Sequence, residues 1–220
     1  MTLAFRNELP AALRHALAVT AAIALWTAFS ASGAYAQVDQ SRSGGKGSDV
    51  KAAGPCAGTT RFVDCGNGTV TDTMTGLIWL KRADCFPESN WKVALQAAAS
   101  LKSGDCGLSD GSSAGDWRLP TKAEWEATIA KAATLGCTFV KAPSLTNDAG
   151  TACYGDGTQS SRIGVASNGY WSSTLGEIHR LLTIFPNVPV ASFADVYHGD
   201  VITIESMLPF GVWPVRGGNR

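Results

Sequence analysis

Asp116-Trp117-Arg118-Leu119-Pro120-Thr121-Lys122-Ala123-Glu124-Trp125-Glu126 is the stretch on which the fold turns. Thr121 followed by Glu124 three positions on is a capping box, in which each side chain satisfies a backbone amide that the first helical turn leaves open. Pro120 and Trp125 stand at the two positions of a hydrophobic staple, and Trp125, Ile129 and Ala132 recur at helical spacing as one apolar face, with Gly136 to end it. An earlier helix is predicted from Trp91, Ala94, Leu95, Ala98 and Leu101, with Asn90 as N-cap and Gly104 as the stop.

Outside these helices the signals are those of β-structure. Arg61-Phe62-Val63-Asp64 and Thr69-Val70-Thr71-Asp72 flank Cys65-Gly66-Asn67-Gly68, whose Asn and Gly tolerate the positive φ of a tight hairpin. A turn over Thr73 to Gly76 leads to Leu77-Ile78-Trp79-Leu80, completing a three-strand meander. Asp64, Asn67 and Asp72 lack the spacing of a calcium loop and read as turn residues. Further strands are predicted over Tyr170 to Thr174, Leu181 to Phe185, Val188 to Phe193, Val201 to Glu205 and Gly211 to Arg216, where β-branched and aromatic residues alternate or cluster. Cys137 to Gly169 is polar, Gly-rich and aperiodic, which is how a functional loop reads. Helices between strands at either end give an α+β domain.

The first 36 residues read as a cleavable signal peptide. Arg6, Arg14 and His15 precede an apolar run from Ala16 to about Phe29, and Ala34-Tyr35-Ala36 is an A-x-A cleavage pattern. Gln37 follows, so no lipobox cysteine offers a lipid anchor, and no stable membrane insertion is expected after cleavage. Residues 37–54 carry almost nothing apolar and read as a disordered linker; residues 55–220 fit one domain. Export to the periplasm, the medium or the cell surface places all six cysteines in an oxidising compartment. Fifteen connectivities are possible, and three short sequential loops are the economical expectation: Cys56 to Cys65, Cys85 to Cys106 and Cys137 to Cys153. On the chain-entropy model each such loop contributes about 3 kcal/mol. Neither CxxC nor HxxxH occurs, so a zinc site is not expected. With 18 basic and 18 acidic residues the chain gives no global electrostatic argument for nucleic acid or an anionic membrane.

Five motifs in order then carry a resemblance. Gly68-Thr69-Val70-Thr71-Asp72, Thr75-Gly76-Leu77-Ile78-Trp79, Asp116 to Thr121 with Glu124, Tyr170-Trp171-Ser172-Ser173-Thr174 and Pro214-Val215-Arg216 resemble the Lcl C-terminal domain family of bacterial exported proteins. The resemblance implies a C-type-lectin-like fold, two helices packed on antiparallel sheets. Because the family's founding member is an adhesin whose C-terminal domain is associated with sulfated polysaccharides, it also implies a carbohydrate or cell-surface ligand. The stretch from Arg118 to Glu126 and the terminal Arg216-Gly217-Gly218 are similar to formylglycine-generating enzymes. Those enzymes use a late pair of cysteines with copper, whereas no cysteine follows Cys153 here, so the oxidase chemistry has no thiolates to work with.

Hydrolase constellations are no better supported. There is no GxSxG elbow, and His179 and His198 are the two histidines beyond the leader. The motif residues Trp79, Trp117, Arg118, Thr121, Glu124, Trp125, Trp171, Ser172 and Arg216 read as scaffold: large apolar groups for a core and arginines for carboxylates or backbone. The ligand surface is expected on the Cys137 to Gly169 loop and the Glu177 to Arg180 turn, through Asn147, Asp148, Asp156, Arg162, His179 and Arg180. For a sugar or an acidic polymer, Asn147, Asp148, Asp156 and Arg162 offer hydrogen bonds or a calcium ligand set, and His179 with Arg180 offers positive charge. The expectation is a noncatalytic binding domain without an obligatory cofactor; the rivals are an exported oxidase relative and an envelope interaction module. Nothing in the sequence sets the oligomeric state.

Overall fold

A computed structural model describes residues 52–156, 160–166, 168–176 and 189–218. Its first sheet grows from the meander. β1 (Phe62–Asp64), β2 (Thr69–Asp72) and β3 (Leu77–Leu80) pair antiparallel in succession. The last strand, β7 (Val215–Gly217), returns to pair with β3, so the order is β1-β2-β3-β7 and the chain closes on the start of its domain. The β1–β2 turn requires glycine for space as well as conformation. A Cβ on Gly68, at φ +84°, would lie 2.4 Å from the Gly107 carbonyl oxygen.

Two helices separate the sheets. α1 (Trp91–Ser100) begins at Asn90, whose side chain accepts from the Val93 amide at 3.0 Å. It ends earlier than the Gly104 stop predicted from sequence: Leu101 leaves the helix in an extended conformation to bury its side chain, and Gly104 turns the chain three residues later at φ +99°. α2 (Lys122–Thr134) realises the capping box in full, buries Trp125, Thr128, Ile129 and Ala132, and terminates at Leu135 with Gly136 at φ +72°. A second sheet, β4 (Tyr170–Leu175), β5 (Val190–Asp195) and β6 (Asp200–Glu205), runs antiparallel in chain order. α2 packs against all three of its strands.

One strand expectation changes. Of the Gly211 to Arg216 segment only Val215 and Arg216 are strand, which continues to Gly217, because Pro214 has no amide to give and Gly211 makes a single bridge to Tyr170. The Leu181 to Phe185 prediction lies outside the described residues.

Tryptophan fills the centre. Trp79, Trp117, Trp125, Trp171 and Trp213 are all fully buried, and Trp79 meets Trp125 and Trp213 at 5.1 and 4.8 Å between centroids, while Tyr170 stacks on Trp125 at 5.8 Å. Burying each such ring contributes about 1.5–3 kcal/mol, offset unless its N–H finds an acceptor. Four do: Trp125 donates to the Trp171 carbonyl, Trp171 to Ser89, Trp213 to Leu80 and Trp117 to the Ser112 hydroxyl. These bonds join residues up to 133 positions apart: besides satisfying the indoles, they tie α2 and the Ser89 segment to β4, and the segment before β7 to β3.

The disulfides are Cys56–Cys65, Cys85–Cys106 and Cys137–Cys153, the sequential set. The first secures the approach to β1, the second joins the segment after β3 to the loop after α1, and the third pins the loop that follows α2. No helix among the described residues is long and apolar enough to cross a membrane.

Candidate functional site

The motif residues hold the scaffold. Arg118 makes a bidentate pair with Glu124 at 2.7 and 2.6 Å and also donates to the Leu119 and Gly217 carbonyls, so one guanidinium fastens α2 to the end of β7. Burial alone would push the Glu124 carboxyl up, but the bonds from Arg118 and the Thr121 amide outweigh it and hold the group below the usual carboxylate range. Arg216 reaches the fully buried Asp110, with Nη2 at 2.8 Å. Ser172 is buried, its hydroxyl taking the Thr174 amide and its carbonyl the Trp91 indole. A groove of about 500 Å³ beside this set runs along Met74, Leu77, Ala123 and Ala127, and the two charges on it, Arg118 and Glu124, are committed to each other.

Of the residues expected to display a ligand surface, Arg162 and Asn147 are buried and Asp148 is half-buried beside Arg162. Arg162 is 1% exposed, lies 3.6 Å over the Phe62 ring, donates to the Thr146 carbonyl and stands 3.7 Å from Asp148. Burial lowers its pKa to about 10, so it remains a cation at neutral pH. Asn147 is buried as the acceptor for the Thr151 and Ala152 amides, and Asp148 accepts from Ser160 and the Ser161 amide. A loop without regular structure must pair its buried backbone by such means, and these side chains do that. Asp156 is exposed, 3.4 Å from Lys141. His179 and Arg180 lie outside the described residues.

A different surface gathers on two loops. The β5–β6 connection carries Tyr197 and His198, and the loop after α2 brings Phe139 against them. Phe139 and Tyr197 are 53% and 43% exposed. The three rings meet edge to face: Phe139 to Tyr197 at 5.8 Å and 80°, Phe139 to His198 at 5.0 Å and 88°, Tyr197 to His198 at 5.0 Å and 86°. The links that hold them run within the turn and between the two loops. Asp195 caps the turn, accepting from the amides of Tyr197 and His198 and meeting His198 Nδ1 at 2.7 Å. The Phe139 amide donates to the Tyr197 carbonyl at 2.9 Å, and Ser144 bonds Val196. Cys137–Cys153 anchors the Phe139 loop from behind.

Phe139 sits at φ +50°, a conformation that costs a bulky residue about 1–3 kcal/mol and persists only where the surroundings impose it. The reward is not burial, since half the ring faces water. A groove of about 420 Å³ runs between Glu126, Ile129 and Ala130 of α2 and Gly199 to Ile202. Sequence reasoning missed Phe139 and Tyr197. The available signal was an aromatic residue in a polar loop two positions from a cystine, and a second at a strand–turn–strand junction; only the fold places them together. Among the described residues no three Cys, His, Asp or Glu groups gather as a metal site.

Fold and surface together define a disulfide-stapled α+β domain whose sequence motifs build the frame and whose loops form the exposed face. The chain belongs to the Lcl C-terminal domain family, whose model matches residues 68–216, from the β1–β2 turn to the arginine of β7. No curated protein matches it.

Proposed function

We propose that this protein is an exported, noncatalytic binding domain that recognises a carbohydrate or other cell-surface ligand. The observation that carries the reading is the cluster of Phe139, Tyr197 and His198, aromatic and half in water, on two loops bonded to each other before any ligand arrives. Ordering a recognition surface in advance removes an entropic cost from binding. Three disulfides fit a chain that folds in an oxidising compartment. With all six cysteines paired, the oxidase alternative lacks a thiolate to start its chemistry.

The test is binding of the oxidised protein to an array of neutral and sulfated glycans, with calcium and with chelator. Saturable binding to a glycan class is the expected result. Concentration-dependent self-assembly with no glycan bound would overturn it in favour of an envelope interaction module.

A further inference from the structure

We infer that the Phe139–Tyr197–His198 cluster is the sugar subsite of this domain, and that it takes a single uncharged pyranose ring rather than a sulfated chain. The inference rests on the carbohydrate reading above and narrows it to a place and a ligand class.

The first argument is shape. Three rings at 80° to 88° to one another form a corner. Their exposed faces point in different directions, so no two can stack on one flat ligand, and a row of sugar rings could not lie along them. One pyranose can place its C–H face on one ring and its rim against the edge of the next, the geometry in which an aromatic quadrupole attracts polarised hydrogens. The remainder of an oligosaccharide would leave along the Gly199 to Ile202 side of the turn, where the groove against α2 begins.

Charge gives the second argument. The turn and groove carry Asp195, Asp200 and Glu126. Among the described residues, Lys122 is already engaged with Glu126 at 3.8 Å, and no lysine or arginine pairs with Asp195 or Asp200. A sulfated polymer would bring anions to a face where, among the described residues, carboxylates outnumber lysines and arginines. Sugar hydroxyls, by contrast, donate well to carboxylate oxygens. Asp200, which lines the groove, is an exposed acceptor two residues beyond His198. The strain held at Phe139 agrees with both arguments, because a backbone forced to present a ring to solvent is accounted for by something that covers the ring.

The experiment measures affinity of the oxidised full chain for neutral oligosaccharides (chitotriose, maltotriose and cellotriose), with heparin as the sulfated probe. Variants are F139A, F139G and Y197A, with M74A as a control on the exposed β2–β3 turn, and near-UV circular dichroism checks the fold of each. A neutral probe should bind, and its affinity should fall about tenfold or more in the Phe139 and Tyr197 variants and not in M74A. F139G relieves the backbone strain, so loss of affinity in both Phe139 variants assigns the effect to the ring. Neutral binding unaffected by these substitutions would overturn the location and leave the carbohydrate reading standing. Binding of heparin alone would overturn the ligand class. Failure of every neutral and sulfated probe would remove the carbohydrate reading and this inference with it.

Discussion

Replacing Arg162 by Ala separates framework from ligand surface more cleanly than any other single change. The guanidinium lies 3.6 Å over Phe62 and is 1% exposed, so its cation–π contact is desolvated and contributes about 2 kcal/mol. Its bond to the Thr146 carbonyl would be lost in a place that water does not reach, costing about 1–3 kcal/mol. Two effects offset these. Arg162 Nε has no partner, so part of its desolvation is uncompensated in the native state, and Asp148 keeps Ser160 and the Ser161 amide when the arginine is gone. The net loss is about 3 kcal/mol for Arg162→Ala and about 1 kcal/mol for Arg162→Met, which retains most of the packing volume. For a domain of this size that corresponds to a fall in Tm of about 6–12 °C and 2–4 °C respectively. Thermal unfolding followed by near-UV circular dichroism reads the effect, and glycan affinity is measured in parallel below the transition. Arg162→Ala should destabilise the protein while leaving affinity per folded molecule unchanged. A variant that melts within 2 °C of the parent, or that binds tenfold less while melting normally, would refute the placement of Arg162 in the frame.

Other parts of the frame give separate tests. Asp110→Ala strips the buried Arg216 of its carboxylate and should cost about 3–5 kcal/mol in urea unfolding, whereas an effect under 1 kcal/mol would mean that the pair is not buried as described. Glu124→Ala removes both the cap and the Arg118 pair and should cost about 2 kcal/mol, while Glu124→Gln keeps the amide acceptor and should cost about half that. The folded-state carboxyl of Glu124 lies below its unfolded value, so its stabilisation is present above the ordinary carboxylate range and is lost as pH falls through the folded pKa. The drop in urea midpoint between pH 7 and pH 3 should accordingly be smaller in Glu124→Gln than in the parent; an identical drop would remove Glu124 from the acid response. Non-reducing peptide mapping should recover the three sequential disulfides, and the paired substitution of Cys137 and Cys153 by Ser should cost about 3 kcal/mol and loosen the Phe139 loop that this cystine anchors.

The frame was legible in the sequence because each of its parts is a local device with a chemical signature. Thr121 and Glu124 lie three positions apart because a helix N-terminus needs two acceptors at that spacing, and the structure uses both. The Asn and Gly residues of the first hairpin and the cysteine spacings are of the same kind. Errors arose where the outcome depends on residues far apart in the chain. Arg162 and Asn147 are polar residues in an aperiodic loop, which reads as surface; they are buried because the loop has backbone groups to satisfy and Phe62, a hundred positions earlier, offers a ring face. Leu101 ends α1 early for a similar reason, since the core draws its side chain inward before the glycine arrives.

The aromatic corner is the converse case. Phe139 and Tyr197 are apolar residues that reasoning from burial assigns to a core, yet the β5–β6 turn and the α2 loop hold both at the surface. Hydrophobic patterning identifies what a fold hides, and it is silent on an apolar group that the fold displays. Motif residues conserve the same bias: Arg118, Trp125 and Arg216 make the chain recognisable because they build the frame, and a frame can be shared by domains with different ligands. What distinguishes this domain must therefore lie in its loops, where a strained Phe139 faces water beside Tyr197 and His198 and where Asp200 lines the groove.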